Sequence, residues 1–552
     1  MNLEHKQAPQ DESNGLPYKW KVLISVIFGI FMVILDTTIV NIAFRTLQEE
    51  FAAGVNESQS IISIYVLALG ISTPLSGFLG DRFGMKRTYV TGLGIFILGS
   101  FLCGISPSLW LLIAARTLQG FGGGIALPLG TALLFSAFPT KEQGTALGIF
   151  GIAIVTAPAL GPILGGYLVD LGLWRWIFFV NIPIGLVGIG LGIWWLRTQE
   201  RQAGLSLDLW GLIASTAGFG SILYASSIAA DQGWLAPRVL IFFAVGVVGL
   251  LAFGWIELFV AKKPLLDLRL FQSRIFANAA FVGWVSVVAL FGAEFLLPLY
   301  LQVLRGRTAL ETGFILLPLA IAAAIATPVA GRLYDSIGAR PLVVLGFTIL
   351  AVNTWQLSKL TLDTSISWIL FLLALRGLAL GLTVQTTLVT ALATVEGPKV
   401  SRASALINST RQVVQSLAVA FLATVLTASL APGLASRMEQ YQQQAPPAAT
   451  QPGANAGTST AATGTPVTGT EGRPALCNLP NSNLPIPANA KNDISTFCQE
   501  YIVGFERAYQ WTFYAALLAL LLGAFLPGWP FHWEGRENVA GDAQPAVAAG
   551  HD

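Results

Sequence analysis

The sequence is poor in charge. Asp, Glu, Lys and Arg make up 11% of 552 residues, against roughly a quarter in a soluble domain, so an ordinary water-soluble globule is excluded. Histidine is scarcer still: His5, His532 and His551 all lie in the tails, which takes the usual metal ligand and neutral-pH acid–base group out of the apolar body. Of three cysteines, Cys103 sits inside an apolar run and Cys477 and Cys498 lie in one hydrophilic stretch, with no metal-ligand spacing. No G-x-x-x-x-G-K-S/T loop is present, so an ATP-driven role would need a partner. No Ser/His/Asp, Cys/His or metal cluster lies at one membrane face, so neither an enzyme nor a cofactor is expected. A net charge of +2 gives no reason to expect nucleic acid.

What the chain has is long apolar runs, with 54% of its residues hydrophobic. The runs predict an all-α polytopic membrane protein of fourteen spans, because lipid offers backbone groups no partner. The first six lie at about 22–44, 59–80, 89–106, 109–130, 145–168 and 177–196. The other eight lie at about 209–229, 238–260, 276–303, 312–331, 341–359, 367–394, 404–430 and 507–527. Lys and Arg gather in alternate loops, which puts both termini, 1–20 and 529–552, in the cytoplasm of a cell with this protein in its plasma membrane. The 431–506 stretch is rich in Gln, Pro, Thr, Gly and Ala and reads as a flexible external loop. Cys477 and Cys498 at its far end pair in an oxidising exterior, which would order the stapled portion more than the tract before it, or stay as two free thiols.

Thr73-Pro74, Gly77, Asp81 and Gly84 recur at the same spacing as Thr327-Pro328, Gly331, Asp335 and Gly338. Each copy ends a span and opens a loop, the pattern of a transporter built from two related halves. The halves are 21–197 and 263–528, with 198–262 as two inserted helices. Asp36, Arg116, Glu294 and Arg376 sit well within spans. A charge there costs about 2.5–3.5 kcal/mol on insertion scales, so such residues face a polar interior and a partner. They couple protons to transport, or they are static ion pairs that fix packing.

Gly77-Phe78-Leu79-Gly80-Asp81-Arg82-Phe83-Gly84-Met85-Lys86-Arg87 resembles the loop motif between spans two and three of the major facilitator superfamily. Leu35-Asp36-Thr37-Thr38-Ile39-Val40-Asn41 resembles the first-span motif of its fourteen-span drug:proton antiporters, the EmrB/QacA type. Arg116-Thr117-Leu118-Gln119-Gly120 resembles the fourth-span motif, and Ala157-Pro158-Ala159-Leu160-Gly161-Pro162-Ile163-Leu164-Gly165-Gly166 the fifth-span antiporter signature, with Ala157 for the usual Gly. The resemblance implies two six-helix bundles and proton-coupled export of small lipophilic, cationic compounds. The alternative is an exporter of a lipid, siderophore or metabolite, or an importer of the same fold.

Under that resemblance, Asp36 with Arg116 form the coupling pair, and Glu294 with Arg376 their counterpart. Asp81 and Arg82, with Gly77, Gly84 and Arg87, form a conformational latch. Pro158, Gly161, Pro162, Gly165 and Gly166 let the fifth span bend, or simply pack it tightly. Asn41, Gln119, Phe291, Tyr300 and Gln385 are the candidate cavity lining. The partners are the substrate, protons, the bilayer and, in a cell with an outer membrane, a periplasmic adaptor.

Overall fold

The computed structural model describes residues 16–198, 208–261, 263–430, 477 and 488–528. Residues 1–15 of the N-terminal tail, the whole C-terminal tail, most of the 431–506 loop and the Phe291 and Glu294 side chains lie outside the described residues. Within them the chain is helical and has no named strand, as the apolar runs predict. The first helices are α1 (Tyr18–Ile42), α2 (Val55–Phe83), α3 (Met85–Gly104), α4 (Leu109–Ala137), α5 (Gln143–Asp170) and α6 (Asn181–Trp195). They are followed by α7 (Leu209–Gln232) and α8 (Pro237–Trp255). Then come α9 (Arg274–Leu299), α10 (Ala309–Ile337), α11 (Ala339–Leu357), α12 (Ile366–Ala393), α13 (Val400–Thr427) and α14 (Ala488–Gly523). Eleven of the helices among the described residues are long and apolar enough to cross a bilayer.

Local chemistry sets the ends of these helices. Ser108, Ser273 and Ser365 each accept from the backbone N–H three residues on, starting α4, α9 and α12. Thr308 and Glu311 form a reciprocal capping box on α10. Pro298 removes a donor near the end of α9, and the next residues, Tyr300–Leu304, continue as a π-helical turn.

The repeated motif does the same work in both copies. Thr73 and Thr327 donate to the carbonyls four residues back, Leu69 (2.7 Å) and Ala323 (2.6 Å), beside the ladder position that Pro74 and Pro328 disturb. Gly77 lets α13 close in, since a Cβ there would stand 3.0 Å from the Arg402 Cα; Gly331 does so for α5, where a Cβ would collide with the Gly144 carbonyl. Gly84 (φ 91°) and Gly338 (φ 81°) are single-residue turns from α2 to α3 and from α10 to α11. That region costs about 1–2 kcal/mol for a residue with a Cβ.

The sequence-predicted fifth span, α5, is wedged between α1 and α10. Toward α1, the Gly165 position faces the Ile39 carbonyl at 3.0 Å and Gly161 abuts Thr38; toward α10, Gly148 faces the Thr327 carbonyl at 2.8 Å. No Cβ fits these contacts, so α1 and α10 approach α5 closely. The inserted helices α7 and α8 pack on each other, and α7 also packs on α2 and α13.

One expectation is corrected. Residues 488–506, read as part of a flexible loop, are helical and continue into the last span as α14. Ile494, Phe497, Cys498, Tyr501 and Phe505 are buried at three- and four-residue spacing in a cluster with Leu297 and Leu422. That apolar stripe was hidden because polar residues on the other face keep the segment well below membrane hydropathy.

Candidate functional site

Asp36 is fully buried and Arg116 is 1% exposed, and their side chains meet as an ion pair, Nη1 to Oδ2, at 2.5 Å. Side chains from four other helices surround the pair. From α4, the Gln119 amide donates to Asp36 Oδ1 at 2.8 Å, while its oxygen accepts from Arg116 at 2.7 Å. From α6, the Asn181 amide donates to the same Oδ1 at 2.8 Å. Ser100 on α3 accepts from both amides, at 3.2 and 3.1 Å, and passes its own proton to the Phe178 carbonyl at 2.8 Å. From α2, the Tyr65 ring lies 4.0 Å from the Arg116 guanidinium carbon, and the Ile61 carbonyl accepts from Nε at 3.4 Å.

Three donors converge on one carboxylate, which is what an ionised, buried Asp requires. Breaking such a pair from one side costs about 3–5 kcal/mol, because the remaining charge is left buried and alone. The network joins α1, α2, α3, α4 and α6.

At one end of the bundle, the two motif carboxylates cross between helices far apart in sequence. Asp81 accepts from Arg402 Nε at 2.7 Å and from the Ser401 hydroxyl, both at the start of α13. Asp335 accepts from the Gly144 and Thr145 amides at 2.9 Å and from the Thr145 hydroxyl at 2.8 Å, at the start of α5. Each places a negative charge at the positive end of a helix. The predicted latch residue Asp81 therefore acts with Arg402, whereas Arg82 is exposed and lies over the Phe83 ring and Arg87 is exposed.

Arg376 is fully buried on α12, and its Nη2 donates to the Ala289 and Leu290 carbonyls on α9 at 2.8 and 2.9 Å. Asn353 and Thr354 on α11 accept at 3.5 and 3.4 Å. These partners are backbone carbonyls and neutral side chains, and Leu290 is one helical turn before Glu294.

The four candidate cavity residues with described side chains, Asn41, Gln119, Tyr300 and Gln385, are not brought together. Gln119 belongs to the Asp36 network, and Asn41 is exposed on α1. Tyr300 is buried, donating to the Thr361 carbonyl at 2.6 Å and packing on Phe505. Gln385 is 4% exposed, with both amide atoms unpartnered, against α5 at Gly151. Cys477 and Cys498 are joined, with Cα atoms 6.0 Å apart.

Sequence reasoning missed Ser100 and Asn181, because uncharged polar residues are common in spans. It also missed Glu257 and Arg411, which lie in or at the end of apolar helices and carry the same signal that singled out Asp36. Arg402 had been counted only as a basic loop residue.

Comparison with known proteins identifies the family and the fold. Residues 26–419 match the Major Facilitator Superfamily profile. The chain is 34% identical over 406 residues to a Bacillus subtilis protein described as the uncharacterized MFS-type transporter YhcA, covering 74% of this chain and 76% of that one. It is 32% identical over 399 residues to a Mycobacterium tuberculosis multidrug resistance protein B homolog, covering 71% and 73%. The lincomycin resistance protein LmrB of Bacillus subtilis is 33% identical over 340 residues, covering 61% and 71%. Among solved structures, the human organic anion transporter MFSD10 superposes with a TM-score of 0.59 at 13% identity, covering 92% of this chain and all of that one. The proton:xylose symporter XylE superposes with a TM-score of 0.56 at 13% identity, covering 93% and 96%.

Proposed function

This chain belongs to the Major Facilitator Superfamily, and from that premise we propose that it is a fourteen-span, proton-coupled exporter of small lipophilic compounds, cations among them. The observation that carries the reading is the buried Asp36–Arg116 pair and its amide donors. Relatives described as multidrug and lincomycin resistance proteins support the substrate class.

Residues 21–197 and 263–528 are the two moving halves, 198–262 is the inserted pair, and both termini face the cytoplasm of a plasma-membrane protein. On this reading, the resting state has Asp36 held by Arg116 while Asp81 and Asp335 hold the cytoplasmic ends of the halves together. A proton from outside neutralises Asp36 and frees Arg116. The rearrangement passes through α1 to α5 across the Gly161 and Gly165 contacts, and α5 moves against α10. The Asp81–Arg402 and Asp335–α5 contacts then part, the proton leaves to the cytoplasm, and substrate enters. Glu294 and Arg376 serve as the corresponding site of the second half.

Efflux of a panel of lipophilic cations and neutral drugs, in a strain stripped of its own pumps, tests this. Export that stops when the proton gradient is collapsed supports it. Export that continues unchanged without a gradient rules it out.

A further inference from the structure

A second carboxyl pair lies at the latch end, away from the Asp36 network. Glu257 sits on a π-helical turn, Ile256–Val260, that ends α8, and it is 1% exposed. Its Oε1 accepts from the Leu265 N–H at 3.0 Å; its Oε2 is buried without a partner. Asp208 caps α7 by accepting from the Gly211 N–H at 2.9 Å through Oδ1, and its Oδ2 is likewise buried without a partner. The two carboxyls flank one glycine: a Cβ on Gly211 would collide with Asp208 Oδ2 and stand 3.1 Å from Glu257 Oε1.

Among the described residues, the charged groups that act on Glu257 are Asp208, which caps α7, and, more weakly, Arg402 from α13. The segment after α8 supplies the Leu265 amide, and its Lys263 is exposed. Arg402 is also the cation that holds Asp81. Arg402 is thus paired with a carboxylate of the N-terminal half and lies within electrostatic reach of one in the inserted pair.

Two buried carboxyl oxygens without donors are costly, and a proton is the smallest species that supplies one. We propose that Glu257, with Asp208, is a second proton-binding site, and that its occupancy sets the strength of the Arg402–Asp81 latch. With the proton bound, Glu257 is neutral and Arg402 is left to Asp81. When the proton leaves, Glu257 competes for the same guanidinium and the latch weakens. Closing this gate then takes up a proton and opening releases one, by reciprocity of linked equilibria. The inference takes its sidedness from the orientation proposed above: an acid cytoplasm holds the gate shut and an alkaline one opens it. It gives α7 and α8 a part in the cycle.

Ser404, buried on α13 and donating to the Pro128 carbonyl on α4 at 2.8 Å, reports this gate. In the full chain with Cys103→Ala and Ser404→Cys, reconstituted in liposomes, maleimide labelling is measured at mildly acidic and mildly alkaline pH. Rates are divided by those of the denatured protein at the same pH, which cancels thiol ionisation. The expected result is a several-fold rise in labelling toward alkaline pH in the Glu257 parent. Glu257→Gln is expected to be slow at both pH values, and Asp81→Asn fast at both.

A Glu257→Gln protein that keeps the parent's pH response overturns the inference. If that variant does not fold, Asp208→Asn decides: its amide gives Glu257 a donor, so the pH midpoint of labelling should fall, and an unchanged midpoint overturns the inference. Efflux by Asp36→Asn separates the two readings. Lost efflux there with an unaltered response in Glu257→Gln rejects only the second site, whereas retained efflux with a flat response rejects only the Asp36 role.

Discussion

Replacing Asp335 by Ala removes three hydrogen bonds at the start of α5 at once, two from backbone amides and one from Thr145. Hydrogen bonds to a charged group contribute about 1.5–3 kcal/mol each. They are not additive here, because all three end on one carboxylate and water replaces part of what is lost. A net loss of about 3 kcal/mol shifts the closed-to-open ratio of this gate roughly a hundredfold. Hydrogen–deuterium exchange reads that shift in two places. The amides at the start of α5 lose their partners directly and must exchange faster. The start of α13, held by Asp81 on the other side of the gate, loses no bond to Asp335 and responds only if the gate opens as a unit. Faster exchange in both regions is the expected result. A change confined to the start of α5 refutes the claim that the two carboxylates hold one gate.

Three further outcomes follow from the same geometry. Asn181→Ala removes one of the donors to Asp36 Oδ1 and should lower stability by about 1–3 kcal/mol, seen as a lower melting temperature of the purified protein, with export reduced. Gly84→Ala places a Cβ at φ 91° and should cost about 1–2 kcal/mol, whereas Gly94→Ala, within α3 with open space around its Cβ position, should be neutral or slightly stabilising by the same melting assay. Changing Cys477 and Cys498 together to Ser opens a cross-link spanning 21 residues and should cost about 3 kcal/mol, with the loss reproduced by a reducing agent on the parent protein and absent in the double variant.

How far the site could be read from the sequence depended on the kind of residue. Asp36 and Arg116 stood out because a charge in an apolar run carries a cost that demands a partner, and the two do meet. Gln119, marked as cavity lining, belongs to the same network, since three residues on from Arg116 it shares one face of α4. Ser100 and Asn181 carry no charge and gave no such signal. The repeat made Asp335 legible beside Asp81, and both sit at a helix start, Asp335 on backbone amides and Asp81 on the Ser401 and Arg402 side chains. Their partners were not legible, because Arg402 lies 321 residues from Asp81 and Gly144 lies 191 from Asp335. Nothing local marks a contact that only the packing of α2 on α13 and of α10 on α5 creates. The helical part of the 431–506 stretch was hidden for a different reason: its apolar stripe is amphipathic, so average hydropathy passed over it.

The central claim is that Asp36 exchanges a proton for substrate. Its most direct test is proton movement in liposomes that hold the purified protein, a loaded lipophilic substrate and an internal pH dye. Substrate leaving down its gradient should drive protons inward and acidify the interior in the parent protein, whichever way the molecules are inserted. Asp36→Asn, which keeps the size of the side chain and removes its charge, should abolish the acidification. Acidification of equal rate and extent in Asp36→Asn would contradict the account.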